Sequence, residues 1–344
     1  MKELKSVKDV KEFEIEKGRI FHSATHEEIL SGATSDLYFV RTRELLSHAG
    51  KKDIPVVAEI FCGRSGTLAG VEEVHNLFRD KNVSIQAIPE GKKIERKEVV
   101  MRISGPYDEF GLYETALLGM LASASGWATA ARACREAAGD KPIFCFGARH
   151  LHPAVAPVME RASIIGGAHD CSCILGAKLL GREPVGTVPH AAILIIGDTL
   201  EASIIYDQVM PPDSPRIILV DTFKDEAEET LRVVEVLKDR VQGVRLDTPS
   251  ERGGVTPGLV REIRARLDLA GYPDIMILVS GGITVERMPS LIEAGADAFG
   301  IGSYISAARP IDMTMDIKEI DGEPIAKRGR IPGITNNPRL VKIK

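Results

Sequence analysis

Hydrophobic and polar positions follow one pattern in the first third of this chain and another pattern in the remainder. Between Asp36 and Tyr107, alternating or β-branched segments are separated by Gly, Lys and Asp clusters, with one helical pattern near Val71–Phe78. The segments are DLYFVRT, VVAEIF, SIQAIP and VVMRIS. Alternation with period two is typical of strands that bury one face. This part of the chain therefore predicts a small α+β domain built on an antiparallel sheet.

From Pro142 onward, near-continuous apolar segments alternate with amphipathic helical stretches. We interpret the apolar segments as strands: IFCFGAR, ASIIGG, PVGTVP, RIILVDTF, GVRLD, IMILVSGG and AFGIGS. Apolar strands that are joined by helical crossovers pair in parallel, because a crossover returns the chain to the same end of the sheet. The pattern predicts an incomplete parallel α/β barrel of about seven strands, where the usual number is about eight.

Three regions follow from these patterns. Residues 1–110 form the α+β sandwich domain, residues 111–140 a connecting helix rich in Ala and Leu, and residues 141–310 the α/β barrel. The tail DIKEIDGEPIAKRGRIPGI has a hairpin pattern around Asp321 and Gly322. We therefore expect residues 311–344 to rejoin the first sheet and complete the sandwich domain.

Composition excludes several classes of protein. The chain has 344 residues, of which 44% are hydrophobic and 27% charged, and a net charge of -5. Disordered chains and small disulfide scaffolds differ from this composition, and no overall positive field attracts nucleic acid or anionic lipid. The five cysteines lack a C-x-x-C pair, and no apolar run reaches a membrane span of about 18 residues. We expect a cytoplasmic protein with reduced thiols and without nucleic-acid or membrane partners.

Glycines mark the ends of the last two predicted strands. The sixth strand ends in Ser280, Gly281 and Gly282, and the seventh in Gly300, Ile301 and Gly302. Ile283 and Thr284 are expected to open a helix after the first of these motifs. Loops at the carboxyl ends of barrel strands hold the chemistry, and glycines let backbone N–H groups approach an anion closely. The two motifs predict a phosphate site, although tight turns alone would also require glycine.

Ionisable residues occupy the other predicted strand ends, namely Arg149, His150, His152, His169, Asp170, His190, Asp221 and Asp247. His150 and His152 have the H-x-H spacing of metal-dependent hydrolases, but such a site needs further histidines and none follows His190. A Schiff-base aldolase needs a strand lysine, and the seven strand segments contain none.

A group-transfer enzyme with an anionic substrate uses the same residues differently. Asp221 and Asp247 supply carboxylates for Mg²⁺ or sugar hydroxyls, and Arg149 offers a fork for a carboxylate or phosphate. Two structural alternatives remain open at this stage. Asp221 would otherwise cap a helix that begins at Lys224, and Arg149 would pair with Glu160.

Several motifs in their order along nearly the whole chain resemble those of the type II phosphoribosyltransferases, above all the archaeal-type nicotinate phosphoribosyltransferases. They are TSDLYFVRT, YETALLGMLASASGWATAA, FGARHLHP, GTVPHA, LVDTF, RLDTPSERGG, VSGGI, GIGS and AKRGRIPG. The resemblance implies an α/β sandwich plus incomplete barrel, and a homodimer or higher homo-oligomer that shares its active sites. It implies transfer of phosphoribose from phosphoribosyl pyrophosphate (PRPP) to nicotinate, with Mg²⁺ as cofactor and ATP as co-substrate.

The resemblance also assigns roles to residues. His190 corresponds to the histidine that ATP phosphorylates, Arg149 to the arginine that binds the nicotinate carboxylate, and Tyr38 to a ring-stacking tyrosine from the neighbouring subunit. Tyr38 would otherwise belong to a sheet core. His190, Asp221 and Asp247 form the expected catalytic set, with both aspartates as magnesium ligands. The remaining expected substrate-binding residues are His150, Thr187 and the two glycine motifs, Ser280, Gly281, Gly282, Gly300, Ile301 and Gly302.

Some positions depart from the family pattern and leave rivals open. GGAHDCS is unusual, so the roles of His169, Asp170 and Ser172 stay unassigned, as does that of His152. Within the family the rival is a quinolinate phosphoribosyltransferase, whose dicarboxylate substrate asks for more cationic groups than Arg149 alone supplies. Outside it, the rivals are the metal-dependent hydrolase and a silent relative that senses a nucleotide.

Overall fold

The computed structural model describes residues 2–344, which divide into two compact units. The first unit comprises Met1–Thr129 and Arg309–Lys344, and the second comprises Ala130–Ala308. None of the helices within residues 2–344 combines the length and the apolar character needed to cross a membrane.

The strands are β1 (Pro55–Cys62), β2 (Gly66–Thr67), β3 (Ser84–Ala87), β4 (Lys93–Ile94), β5 (Val99–Pro106), β6 (Ile143–Cys145), β7 (Asp170–Cys171), β8 (Ile217–Leu219), β9 (Gly243–Leu246), β10 (Met276–Val279), β11 (Ala298–Ile301), β12 (Met313–Ile320), β13 (Glu323–Pro324) and β14 (Val341–Lys342). The α-helices are α1 (Val7–Glu12), α2 (His26–Leu30), α3 (Leu37–His48), α4 (Val71–Leu77), α5 (Tyr107–Phe110), α6 (Glu114–Ala138), α7 (Ala156–Gly166), α8 (Ile174–Lys178), α9 (His190–Ile196), α10 (Thr199–Val209), α11 (Glu226–Leu237), α12 (Pro257–Leu269), α13 (Met288–Glu293) and α14 (Ser303–Ser306). Short 3-10 helices span Gly111–Tyr113, Ala148–His150, Lys238–Arg240 and Ser250–Arg252.

An antiparallel sheet with the order β13-β12-β1-β5-β3-β14 organises the first unit. Along β1, Ala58, Ile60 and Cys62 are fully buried at alternate positions, as a strand with one face on a core requires. The tail returns to this sheet, where β12 pairs with β1 and β13 folds back on β12. Asp321 and Gly322 both have positive φ (53° and 80°), the conformation of a two-residue hairpin loop.

The predicted strand DLYFVRT is wrong, because these residues begin helix α3. Phe39 and Val40 are both buried although they are adjacent, whereas an alternating strand would expose one of them. Arg43, on the next turn, bonds Asp108 through Nε at 2.7 Å and Glu3 through Nη1 at 2.6 Å. Aromatic and β-branched residues favour strands only when a sheet surface is available to pack against. Here tertiary contacts on one helical face override that preference.

The second unit contains a parallel sheet with the order β7-β6-β11-β10-β9-β8. Its first strand along the chain, β6, pairs with its last, β11, so the sheet curls into a half-barrel that is open between β7 and β8. Strand β10 is apolar throughout, with Ile277, Leu278 and Val279 almost fully buried, as helices on the outer face of a barrel require. The expected incomplete α/β barrel is thus confirmed, with six strands in the described part of the chain.

Two of the seven predicted barrel strands are wrong. ASIIGG forms the end of helix α7, which stops at Gly167 with φ 117°, and the strand lies a few residues later at Asp170–Cys171. PVGTVP has no regular secondary structure. Both segments are short apolar runs, whose length and periodicity do not distinguish a strand from a buried helix or loop.

Glu114, the first residue of α6, is expected to make the stability of the fold depend on pH. Burial raises the pKa of its carboxyl group to about 7; Lys327 opposes this shift, while Asp316 and Asp36 add to it. Between the ordinary value of 4.5 and about 7, the folded state therefore keeps a proton that the unfolded state loses. This proton stabilises the fold at low pH, and its contribution is lost as the pH rises through that range.

Glu114→Gln should remove this pH dependence, because the amide does not titrate. Relative to wild type, the variant should gain unfolding free energy when the pH is raised from about 5 to about 8. Urea titration at both pH values measures the difference, with Glu12→Gln at an exposed glutamate of the same unit as control. An equal difference between variant and wild type at the two pH values contradicts the prediction.

Candidate active site

The carboxyl ends of the parallel strands bring most of the predicted site residues to one edge of the second unit. Asp221 follows β8, Asp247 follows β9, and the Ser280 motif follows β10. Parallel strands end at a common edge, which is where side chains from several strands meet in barrel enzymes. Most of the predicted residues of this unit therefore lie at the carboxyl-terminal edge of the sheet, although they come from distant parts of the chain.

His190 and Asp221 form a direct pair. His190 Nε2 lies 3.2 Å from Asp221 Oδ2, and the Asp221 side chain is only 1% exposed. Burial raises the pKa of Asp221; His190 opposes the shift and the nearby charge of Asp247 adds to it. Asp221 Oδ1 is also buried and has no hydrogen-bond partner within residues 2–344. An unpaired buried carboxylate oxygen is costly, so this atom is available to a group that enters the site.

The alternative prediction, in which Asp221 caps a helix, is wrong. Helix α11 begins at Glu226, not at Lys224, and Asp225 caps it by accepting hydrogen bonds from the backbone N–H groups of Ala227 and Glu228. His190 also differs from its expected position at a strand end, since it is the first residue of helix α9.

Arg245 was not predicted, and it joins three of the predicted residues. From strand β9 its guanidinium donates to Asp247 Oδ2 at 3.0 Å, to Ser280 Oγ at 2.9 Å and to Thr187 Oγ1 at 3.0 Å. Its Cζ also lies 5.1 Å from the centre of the Phe146 ring. The sequence held a signal for this residue, because an arginine inside the apolar strand GVRLD needs partners before it can be buried.

Asp247 is thereby fixed on both carboxylate oxygens. Its Oδ1 accepts from Ser280 Oγ at 2.8 Å and its Oδ2 accepts from Arg245. The carboxylate is three-quarters buried, and charge-assisted bonds of this kind hold an ionised acid in a defined orientation.

The turn after β10 has the backbone that only glycine adopts easily. Gly281 and Gly282 have φ of 81° and 63°, and a Cβ at Gly281 would lie 3.2 Å from Asp247 Oδ1. Arg287, also unpredicted, donates to the carbonyl oxygens of Gly281 and Gly282 and so holds the turn. The prediction of a helix that begins at Ile283 and Thr284 is wrong, because the next helix, α13, begins at Met288. Any anion at this turn would therefore meet loop amides and not a helix N-terminus.

The second glycine motif is partly a packing feature. A Cβ at Gly300 would lie 2.5 Å from the Phe146 ring, so the absence of a side chain lets this ring approach the strand. Ile301 is fully buried. Gly302 faces the ring of His150, whose Nδ1 lies 3.1 Å from Ser306 Oγ.

Arg149 lies exposed on the 3-10 helix that follows β6. Within residues 2–344, its guanidinium has no hydrogen-bond or ion-pair partner. The predicted alternative, an ion pair with Glu160, is wrong, because Glu160 accepts hydrogen bonds from Ala148 N and from Ser172 Oγ instead. The guanidinium is therefore free to bind an anion.

The residues without an assigned role make local contacts. His152 Nδ1 accepts from Ala154 N, His169 Nδ1 accepts from Ile143 N, and Asp170 pairs with Arg182. The described part of the chain holds no group of three or more His, Cys, Asp or Glu side chains arranged to bind a metal ion. The first unit carries Tyr38, which lies on helix α3 with 56% of its surface exposed, so its placement in a sheet core is wrong.

A parallel half-barrel whose strand ends carry carboxylates, a histidine and glycine turns defines an α/β-barrel enzyme. Residues 36–125 match the N-terminal domain of quinolinate phosphoribosyl transferase, and residues 127–316 match the C-terminal domain of the same family. The chain belongs to this family of phosphoribosyltransferases, and the expected relationship to the type II phosphoribosyltransferases is confirmed. These matches favour phosphoribosyl transfer over the barrel hydrolase.

Relatives of the chain have two different named activities. A nicotinate phosphoribosyltransferase of Mycobacterium tuberculosis is 30% identical over 249 residues, which cover 69% of this chain and 52% of the relative. The human nicotinate-nucleotide pyrophosphorylase (carboxylating) is 24% identical over 298 residues, covering 82% of this chain and 88% of the relative. The chain thus spans about half the length of the bacterial nicotinate enzymes that it matches.

Solved structures that are similar to this chain have the same two enzyme names as the sequence relatives. A nicotinate-nucleotide pyrophosphorylase from Pyrococcus furiosus is 43% identical, with a TM-score of 0.87 and coverage of 92% of this chain and 82% of the other. Human nicotinic acid phosphoribosyltransferase is 20% identical, with a TM-score of 0.71 and coverage of 88% and 77%, and shows the shared fold.

Gly300→Ala should destabilise the protein by about 1–3 kcal/mol, because the added methyl group must displace the Phe146 ring from a packed edge. Urea unfolding measures the loss. Gly119→Ala is the matched control, since Gly119 lies within helix α6 and a Cβ there meets nothing within 4 Å. The control should be neutral or gain up to about 1 kcal/mol from helix propensity. Equal stability of Gly300→Ala and wild type would show that the ring yields freely.

Proposed function

We propose that the protein is a nicotinate phosphoribosyltransferase. It transfers the 5-phosphoribosyl group from PRPP to the ring nitrogen of nicotinate, giving nicotinate mononucleotide and pyrophosphate for NAD biosynthesis, with coupling to ATP. The observation that carries the proposal is the bond between His190 Nε2 and the buried Asp221 beside Asp247. The named nicotinate phosphoribosyltransferases among its relatives support the same reaction.

The pair suits a histidine that accepts a phosphoryl group. An ionised carboxylate can only accept, so Asp221 favours the tautomer in which His190 Nε2 carries the proton. Nδ1 then keeps its lone pair and is the nucleophile. In the proposed coupling step, Nδ1 attacks the γ-phosphorus of ATP, the bond to the bridging oxygen breaks, and ADP leaves. Hydrolysis of phosphohistidine would return the free imidazole and phosphate.

The two aspartates serve the transfer step. As the bond from the sugar to pyrophosphate breaks, positive charge grows at C1, and Asp247, held by Arg245 and Ser280, supplies a fixed negative charge for it. The unpaired Asp221 Oδ1 and the Asp247 carboxylate fit Mg²⁺, which binds through one or two carboxylates together with substrate phosphates. When bound there, Mg²⁺ would neutralise the charge of the leaving pyrophosphate.

Backbone and side-chain donors would position the substrates. The turns Ser280–Gly282 and Gly300–Gly302, with Thr187 nearby through Arg245, are proposed to hold the 5-phosphate. Arg149, with His150 beside it, would bind the nicotinate carboxylate and direct the ring nitrogen toward C1. No base is needed, because the pyridine nitrogen is already unprotonated near neutral pH.

Tyr38 has a proposed role in a homodimer or higher homo-oligomer. Its ring is more than half exposed on helix α3, where it would stack on the nicotinate ring in the site of a neighbouring subunit. A shared site of this kind would make the active unit an assembly of at least two chains.

The second candidate is quinolinate phosphoribosyltransferase, which the 43% identical nicotinate-nucleotide pyrophosphorylase favours. Its substrate has two carboxylates and therefore asks for more than one free cationic group next to the pyridine ring. Loss of CO₂ drives that reaction, so a phosphorylated histidine would have no function in it. The unpaired guanidinium of Arg149 and the His190–Asp221 pair favour nicotinate.

The function is tested by the release of pyrophosphate from PRPP with nicotinate, nicotinamide or quinolinate, each with and without ATP. We expect turnover with nicotinate, faster in the presence of ATP, and little with the other two bases. Turnover with quinolinate and release of CO₂, independent of ATP, would establish the second candidate instead. Absence of turnover with all three bases would support a silent relative.

His190→Ala should abolish stimulation by ATP while leaving a slow uncoupled transfer, because the alanine cannot accept a phosphoryl group. The ratio of initial rates with and without ATP should fall to about one, against several-fold in wild type. His152→Ala, which removes an exposed histidine of the same unit, should keep the stimulation. Stimulation that persists in the His190 variant would rule out the phosphohistidine.

A further inference from the structure

One buried carboxylate near the proposed site accepts hydrogen bonds from the segments that follow two neighbouring strands. Glu160 lies on helix α7 and is fully buried. Its Oε1 accepts from Ala148 N at 3.0 Å and from Ser172 Oγ at 3.2 Å, and its Oε2 accepts from Cys173 N. A buried charge is stable only when its lone pairs are satisfied, and here three donors do this.

These donors come from the segments that follow β6 and β7. Ala148 directly precedes Arg149, whereas Ser172 and Cys173 follow the end of β7. The two strands pair in parallel, and Ser172 N donates to Cys145 O at 3.0 Å. Glu160 therefore ties the Arg149 segment to the neighbouring strand end.

The other side of the same segment is held by β11. Phe146 N donates to Ile301 O at 2.8 Å, and the His150 ring lies against Ser306. Among the described residues, none forms a hydrogen bond or an ion pair with the Arg149 side chain. Its position in the free protein is therefore set by the backbone of residues 146–150. Glu160 holds this backbone through its bond to the Ala148 amide.

We infer that Glu160 is a positioning residue for the pyridine carboxylate: it acts through Arg149 by fixing the Ala148 amide. This inference rests on the proposed role of Arg149. Substrate binding through a single guanidinium depends on where its backbone places it, and a small displacement lowers the rate strongly. The turns proposed to bind PRPP follow β10 and β11, and the groups that Glu160 bonds belong to neither, so the effect should fall mainly on the pyridine substrate.

Glu160→Gln is the variant that tests this role with little change in size. The carboxamide of glutamine presents an N–H group toward one of the three donors. One hydrogen bond is then replaced by a repulsive contact between two donors, while the volume of the side chain is unchanged. Gly176 of helix α8 packs closely against the base of this side chain, since a Cβ at Gly176 would lie 3.1 Å from Glu160 Cβ. Strain is then relieved by movement of the Ala148 or Cys173 segment.

The experiment is a double-mutant cycle of Glu160→Gln and Arg149→Ala. With PRPP saturating, Glu160→Gln should lower kcat/KM for nicotinate about tenfold and change the KM for PRPP less than about twofold. In the Arg149→Ala background, the same substitution should lower kcat/KM for nicotinate less than about twofold. Glu90→Gln, a carboxylate that accepts from Gly70 N and Val71 N in the first unit, is the matched control and should change neither constant.

Two results would overturn the inference. One is an equal loss toward nicotinate and PRPP, and the other is an undiminished loss in the Arg149→Ala background; either would make Glu160 a purely structural residue. If Glu160→Gln gives no cooperative thermal transition, Glu160→Asp, which keeps the charge but shortens its reach, takes its place in the cycle. If wild type uses quinolinate instead of nicotinate, the proposed function fails, and the cycle with quinolinate still decides the role of Glu160.

Discussion

The guanidinium of Arg245 is the interaction on which the predicted catalytic edge depends. It lies within a strand of the parallel sheet and donates to Asp247, Ser280 and Thr187, while its Cζ lies over the Phe146 ring. Removing one partner of a buried charge network commonly costs about 3–5 kcal/mol, since the charge that stays behind is uncompensated. Arg245 therefore links the ends of β9 and β10 to the segment of Thr187, and it orients the Asp247 carboxylate before any substrate binds.

The carboxylates around this edge differ in what they have left to bind. Glu160 has both oxygens engaged by donors of the chain, and Asp225 caps a helix. Asp221 uses one oxygen for His190 and keeps the other buried without a partner. Among these three acids, Asp221 is the one that keeps an oxygen available to a group that enters the site.

The two proposed functions differ in the charge of the pyridine substrate, since nicotinate carries one carboxylate and quinolinate carries two. The relatives of this chain include enzymes named for each reaction. A histidine fixed by a buried aspartate, together with one unpaired arginine, places this chain on the side of the monocarboxylate in our proposal.

The sequence by itself determined the parallel half-barrel and the acidic and glycine-bearing strand ends, because periodicity and strand-end residues are local properties. It did not determine that DLYFVRT forms a helix or that PVGTVP forms no strand, since short apolar runs obtain their conformation from the surface they pack against. Tertiary structure alone decided the partners of Arg245 and Glu160. Arg245 donates to Thr187, which lies 58 positions away along the chain in a segment without regular structure, and only the folded second unit brings two such residues within hydrogen-bond distance.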